Sequence, residues 1–175
     1  MPLAVTHVLI PLILVDLYRD YFSKVKFNLH YVFIAGLAGL LPDIDIAVFW
    51  VISVFKKIPL NEIHRTFTHS LFFLLIFIVL FFLTRDFNFK WLGKKKLSLD
   101  KVFLAISFGV FIHLVLDALL SGHIMPLYPF SSFELGLNLI KEGSFGGTFF
   151  TGLDAILLVV WLIHEEINHK ISDYI

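Results

Sequence analysis

The sequence predicts an all-α membrane protein, a polytopic transmembrane helical bundle of about five spans with a broken second helix. Three observations carry this. Of the 175 residues 58% are hydrophobic and the mean hydropathy is +0.88, where soluble domains run nearer 45–50% apolar. Only 16% of the residues are charged, too few to coat a soluble globule of this size. The apolar residues also fall in long runs, near the roughly 20 residues a helix needs to cross a bilayer.

Taken in order, the first predicted helix runs from about Leu3 to Tyr18. It has no basic segment before it and no small-residue cleavage site after it, so it is expected to be retained. The second runs from about Tyr31 to Phe55, the third from Thr68 to Leu83, the fourth from Val102 to Leu120 and the fifth from Phe149 to His164. The second is interrupted at Leu41-Pro42-Asp43-Ile44-Asp45. Pro42 removes a backbone donor and crowds the preceding turn, and Asp disfavours a helix interior. Irregular backbone at membrane depth survives only against protein or a water-filled cavity, so this break is expected to face a cavity. Ser121 to Thr148 is broken by Gly, Ser and Pro and is expected as a loop with short amphipathic pieces. No repeat is present, and one domain over residues 1–175 is expected.

Basic residues suggest the orientation. Arg19, Lys24 and Lys26 follow the first helix, and Arg85, Lys90, Lys94, Lys95 and Lys96 follow the third. The opposite side carries Lys56, Lys57, Arg65 and Lys141. The positive-inside rule places the first set in the cytoplasm, with the N-terminus outside and the C-terminus inside the inner membrane. Zero net charge gives no reason to expect a nucleic-acid partner; the expected partner is the lipid bilayer. The absence of cysteine excludes disulfides and thiolate metal sites, leaving imidazole and carboxylate as strong ligands.

Ionisable groups inside spans are costly, about 2.5–3.5 kcal/mol each, and point to function. This chain has His7, Asp43, Asp45, His69, His113 and Asp117 in such positions. At 1.5 Å per residue, all of them lie roughly 18–24 Å from the same end of their helices. Antiparallel segments thus deliver His and Asp to one level, in the outer half of the membrane. His113 and Asp117 are four apart and share a helix face, which suits two ligands of one metal or a helix-to-helix hydrogen bond. Asp43 and Asp45 can converge only because the helix is broken between them; one could instead cap the next half-helix. His64 and His69 are five apart, about 140° around a regular helix, and converge only if the helix starts between them, with Thr66 or Thr68 as cap. Arg65 between them could hold an anionic phosphate or anchor at the interface. His123 lies six beyond Asp117, and Asp154 is a ligand or a cap of the fifth helix. His30, His164 and His169 are expected at helix ends, and Asp16 with Arg19 as an interfacial pair. Ser144-Phe145-Gly146-Gly147-Thr148 lacks the lysine of a phosphate loop.

The elements Thr6-His7, Leu41-Pro42-Asp43-Ile44-Asp45, His64-Arg65-x-x-Thr68-His69-Ser70, His113-Leu114-x-x-Asp117, then Pro126 and Pro129, resemble the YdjM-like family of membrane-bound metal-dependent hydrolases. That family is in turn distantly similar to the all-helical zinc-dependent phospholipase C and fungal nuclease superfamily. The resemblance implies a metal set drawn from His7, Asp43, Asp45, His64, His69, His113, Asp117 and His123. It implies a divalent ion, zinc first and manganese or iron next. The superfamily's processed amino-terminal ligand is not expected here, so one or two ions are expected rather than three. The implied function is hydrolysis of a phosphate ester, in a lipid or lipid-linked substrate, with Asp43 or Asp45 taking a proton from water and Arg65 neutralising the phosphate. The rival is a divalent-cation or proton transporter using the same cluster.

Overall fold

The computed structural model describes residues 4–57, 59–60, 64–87, 97–120, 122–140 and 144–170. These form six α-helices: α1 Ala4–Leu17, α2 His30–Ala38, α3 Ile44–Ser53, α4 Leu71–Leu83, α5 Leu99–Leu119 and α6 Ser144–His169. α1 runs directly into a π-helical turn, Tyr18–Phe22, and a 3₁₀ turn, Phe67–His69, precedes α4. Lys90, Lys94, Lys95, Lys96 and Lys141, counted for orientation, lie outside the described residues.

The centre of the bundle is α5, which packs against α1, α2 and α4, while α1 also packs against α2 and α6. α5 can approach α2 closely because the contact is built from small residues. A Cβ on Gly109 would sit 2.3 Å from the Ala35 carbonyl oxygen, so only glycine lets the two backbones meet. Leu74, Val110, Leu114, Ala118 and Ile124 form one buried apolar cluster, and Tyr31, Ala35 and Ala105 another. α6 lies at the edge and exposes Ile156, Val159, Val160 and Ile163. A continuous apolar surface of that kind suits hydrocarbon rather than water. It is pinned to α1 by a hydrogen bond from Thr6 Oγ1 to Asp154, whose side chain is buried in the middle of α6. Asp154 is therefore neither a cap nor in any metal-competent group among the described residues.

The break in the second predicted helix is present: α2 ends at Ala38 and α3 begins at Ile44. Of α3, only Asp45 is buried. The described residues are all-α as expected, but their helix lengths do not give the expected count of about five spans. By length and composition two helices could cross a membrane, Leu99–Leu119 and Phe145–His169, whereas Ile44–Ser53 and Leu71–Leu83 are apolar but shorter. The third helix starts later than expected, after both His64 and His69. Ser70, rather than Thr66 or Thr68, is its cap, accepting from the Phe73 N–H at 3.4 Å. Between α5 and α6 the described chain is loop with no helix; it makes one antiparallel bridge, Ile124 to Leu135. Leu137, Leu139 and Ile140 donate to the last carbonyls of α5 and its C-cap, at Ala118, Leu119 and Leu120. The loop thus satisfies acceptors that a helix end leaves open.

Candidate metal centre

The cluster is assembled by the helix break. After α2 the chain continues in i to i−3 hydrogen bonds: Gly39 to Gly36, Leu40 to Leu37, Leu41 to Ala38. The next donor in that series would be the nitrogen of Pro42, which carries no hydrogen. The Gly39 carbonyl is left without that bond, and His113 Nδ1 takes it at 2.7 Å. With its proton on Nδ1, held by the carbonyl, His113 turns the Nε2 lone pair inward, in the tautomer that can bind a metal.

His69, in the 3₁₀ turn before α4, is set the same way. Its Nδ1 faces Asp45 Oδ2 at 3.3 Å and Thr68 Oγ1 at 3.1 Å, so its Nε2 also points inward. Asp45 is saturated by the turn around it. It accepts from His64 Nδ1 at 2.9 Å, from the Arg65 N–H at 3.1 Å and from Thr68 Oγ1 at 2.8 Å.

Four atoms face one another at the centre: Asp43 Oδ1, His69 Nε2, His113 Nε2 and Asp117 Oδ2. The two histidine nitrogens are 3.2 Å apart. His69 Nε2 lies 3.5 Å from Asp43 and 3.6 Å from Asp117, and His113 Nε2 lies 3.8 Å and 3.7 Å from the same two oxygens. Donors around a tetrahedral zinc, bound at about 2.0–2.2 Å, stand about 3.3–3.6 Å from each other. These five separations, 3.2–3.8 Å, bracket that spacing. Asp117 Oδ1 turns the other way, to His7 Nε2 at 3.4 Å, and the His7 ring stacks on His113 with centroids 4.0 Å apart. His7, His113 and Asp117 form a second ligand-competent group, which shares His113 with the group of Asp43, His69 and His113. A third group, Asp45, His64 and His69, shares only His69.

The residues fit a divalent ion by a further test. Asp43 Oδ1, both oxygens of Asp117 and His7 Nδ1 are buried without a hydrogen-bond partner. Buried carboxylates are costly unless paired or coordinating. Lone pairs converging without donors are what a cation site requires, and the mixed imidazole and carboxylate set suits zinc, manganese or iron.

Arg65 closes one side. Its φ is +64°, a left-handed conformation that costs a non-glycine residue about 1–2 kcal/mol. That twist aims its N–H at Asp45 and its side chain at Asp117, with Nη2 3.8 Å from Oδ2. Its Nε and Nη2 are buried and without a hydrogen-bond partner. Gly122 lies against the guanidinium: its φ is +126°, and a Cβ there would stand 2.2 Å from Nη2. Asp43 is the most open member of the central four, with 21% of its side chain exposed where His69, His113 and Asp117 have none.

The structure therefore brings together His7, Asp43, Asp45, His64, Arg65, His69, His113 and Asp117. It does not bring in His123. The reversal of the chain at Gly122 sends that side chain to the surface, 42% exposed, with Glu134 4.0 Å away. His30 is exposed and bonded to Asn28. Asp16 and Arg19 are not an interfacial pair. Arg19 turns to Asp20 at 2.7 Å, while Asp16 is fully buried and faces His164 at 3.3 Å. Reading α1 alone gave no sign of this, because the partners of Asp16 come from the far end of the chain.

A family model described as YdjM inner membrane protein matches residues 1–171. No curated protein and no solved structure matches the chain.

Proposed function

Because the chain belongs to the YdjM inner membrane protein family, and so carries its buried His/Asp cluster within a membrane protein, we propose that this cluster holds one or two divalent ions and hydrolyses a phosphate ester. Asp43, His69, His113 and Asp117 hold the first ion, and His7 with the second oxygen of Asp117 offers a place for another. A bound ion supplies a Lewis acid that polarises a phosphoryl oxygen and acidifies water.

The observation that carries the reading is Arg65. A cation carrier gains nothing from a buried guanidinium beside its cation. A phosphate ester is held and neutralised by one, and Arg65 has two nitrogens, Nε and Nη2, without hydrogen-bond partners at the edge of the cluster. His64 supplies the proton acceptor. Its Nδ1 is bonded to Asp45 and its Nε2 is buried without a partner, the arrangement of a base oriented by a carboxylate. Asp45, saturated by hydrogen bonds, positions His64 and His69 and is not itself a ligand. The open side at Asp43 borders exposed Ile44, which fits a substrate with a lipid portion. The basic residues after α1 and α4 support a cytoplasmic position for those loops, with the cluster in the outer half of the bilayer.

The test is turnover by the full-length protein in nanodiscs, loaded with zinc or manganese, on chromogenic phosphodiesters and phosphatidyl lipids. Hydrolysis that disappears in H113A/D117A supports the reading. Metal flux across liposomes with no turnover of any ester overturns it in favour of transport.

A further inference from the structure

A second group of ionisable residues lies at the opposite end of α1. His7 and Asp16 are nine residues apart on that helix, about 13 Å along its axis. Asp16 and Asp20 are four apart and share a face, Asp20 sitting in the π-helical turn that extends α1. The last turns of α6 bring His164, Glu165 and His169 against them. His164 Nδ1 is 3.3 Å from Asp16 Oδ2 and 3.9 Å from Glu165 Oε1, and its Nε2 is 3.8 Å from Asp20 Oδ2. His169 Nε2 is 3.0 Å from the same Asp20 oxygen.

The charges do not balance. The nearby cations are Arg19 and Lys26, and both lie against Asp20, at 2.7 Å and 3.6 Å. Arg19 is further engaged with the Phe27 carbonyl and His169. Asp16 is fully buried and Glu165 only 4% exposed. Neither oxygen of Asp16 has a hydrogen-bond partner, nor has Glu165 Oε1 or His164 Nε2. Two buried carboxylates side by side, with only the His164 imidazole against them, call for a positive charge between them.

We propose that Asp16, His164 and Glu165 bind a divalent cation, forming a second metal centre separate from the one around His113. One donor atom from each lies within 4.8 Å of the others. Two carboxylates and one imidazole suit zinc, manganese or iron. Asp20 and His169 close the rim, and Asp16 is shared with them in a second ligand-competent group. The centre joins the first helix to the last, so an ion there ties α6 to α1 at the end away from Thr6 and Asp154. The proposal does not depend on the hydrolase reading.

The test is Co2+ titration of the full-length protein in detergent, followed by visible absorption, with metal content by elemental mass spectrometry. The background is H113A/D117A, which removes the first centre. That protein should bind one equivalent of Co2+ with a saturable ligand-field band, and adding D16N/E165Q should weaken the binding at least about 100-fold. The two amides keep shape and remove the unpaired charges. If the combined variant does not elute as a single species, H113A/D117A/E165Q carries the comparison. Equal binding with and without Asp16 and Glu165, or no saturable band in H113A/D117A, overturns the proposal; in the second case the two carboxylates share a proton instead of a metal.

Discussion

His69 and His113 point their Nε2 atoms at one another across 3.2 Å, although they are 44 residues apart and belong to different elements. Two imidazoles in that relation share a proton or a metal. Each has its other nitrogen occupied, His113 on the Gly39 carbonyl and His69 beside Asp45 and Thr68, so the inward pair is left to hold that proton or that metal. Two lone pairs repel unless a cation lies between them. Purified wild-type protein should therefore carry at least one equivalent of zinc, manganese or iron. H113A/D117A should lose it, as elemental mass spectrometry will show. Wild type that holds no metal under non-chelating conditions would remove the basis of the metal assignment.

Asp45 tests the division between ligand and support. Asp45→Asn keeps the shape but weakens the acceptor behind His69 and His64. Weakening the carboxylate that orients a metal-binding histidine costs about 10–100-fold in affinity. Chelator competition on Asp45→Asn should show a loss in that range with stoichiometry unchanged, whereas a direct ligand would lower the stoichiometry.

Arg65 should separate binding of metal from binding of substrate. Arg65→Ala should leave metal content as in wild type and lower turnover of a phosphate ester by about 100-fold or more. Arg65→Lys keeps the charge without the planar fork and should recover only part of it. Gly122→Ala, which places a methyl against the guanidinium, should resemble Arg65→Ala in turnover. Metal loss in Arg65→Ala would count against an anion-binding role.

The contact between α2 and α5 predicts a purely structural defect. Gly109→Ala drives a Cβ into the Ala35 carbonyl, and the helices must separate. Overpacking of this kind costs about 1–3 kcal/mol. Thermal unfolding in detergent should fall by several degrees. Unchanged stability would mean the helices are not held this close.

Thr6 and Asp154 predict a further loss. Thr6→Val leaves the buried Asp154 carboxylate without its donor, at a cost of about 1–3 kcal/mol. The loss should appear as a lower unfolding temperature, and Thr6→Ser should restore most of it.

Much of the first centre was legible in the sequence because its residues violate the rules of their surroundings. Asp43 and Asp45 stand out beside a proline in an apolar run, and His113 with Asp117 in another. Depth along each helix was enough to bring four segments to one level. The start of α4 was misplaced because Thr66, Thr68 and Ser70 are all good caps, and Thr68 was already engaged by Asp45. His123 looked like a ligand by spacing, but spacing is blind to the turn that Gly122 makes. The group around Asp16 was missed for a different reason. Asp16 and Arg19 lie one turn apart, a spacing that usually makes a surface pair. Only tertiary packing sends the arginine to Asp20 and brings α6 over the aspartate. Among the described residues α5 and α6 have the length and composition to cross a bilayer, whereas α3 and α4, 10 and 13 residues long, fall short of the roughly 20 that a span needs.

The bond from His113 to the Gly39 carbonyl has a consequence for how the chain can vary. A main-chain oxygen is present whatever amino acid occupies the position, so no substitution deletes the acceptor that orients His113. The vulnerability is displaced onto bulk. Any side chain at residue 39 would begin 2.0 Å from the His7 carbonyl oxygen and push apart the two strands of backbone that carry His7 and the acceptor. The protein thus guards a chemical instruction by leaving a space empty, and Gly39, which has no functional group, becomes as irreplaceable as the histidine it serves.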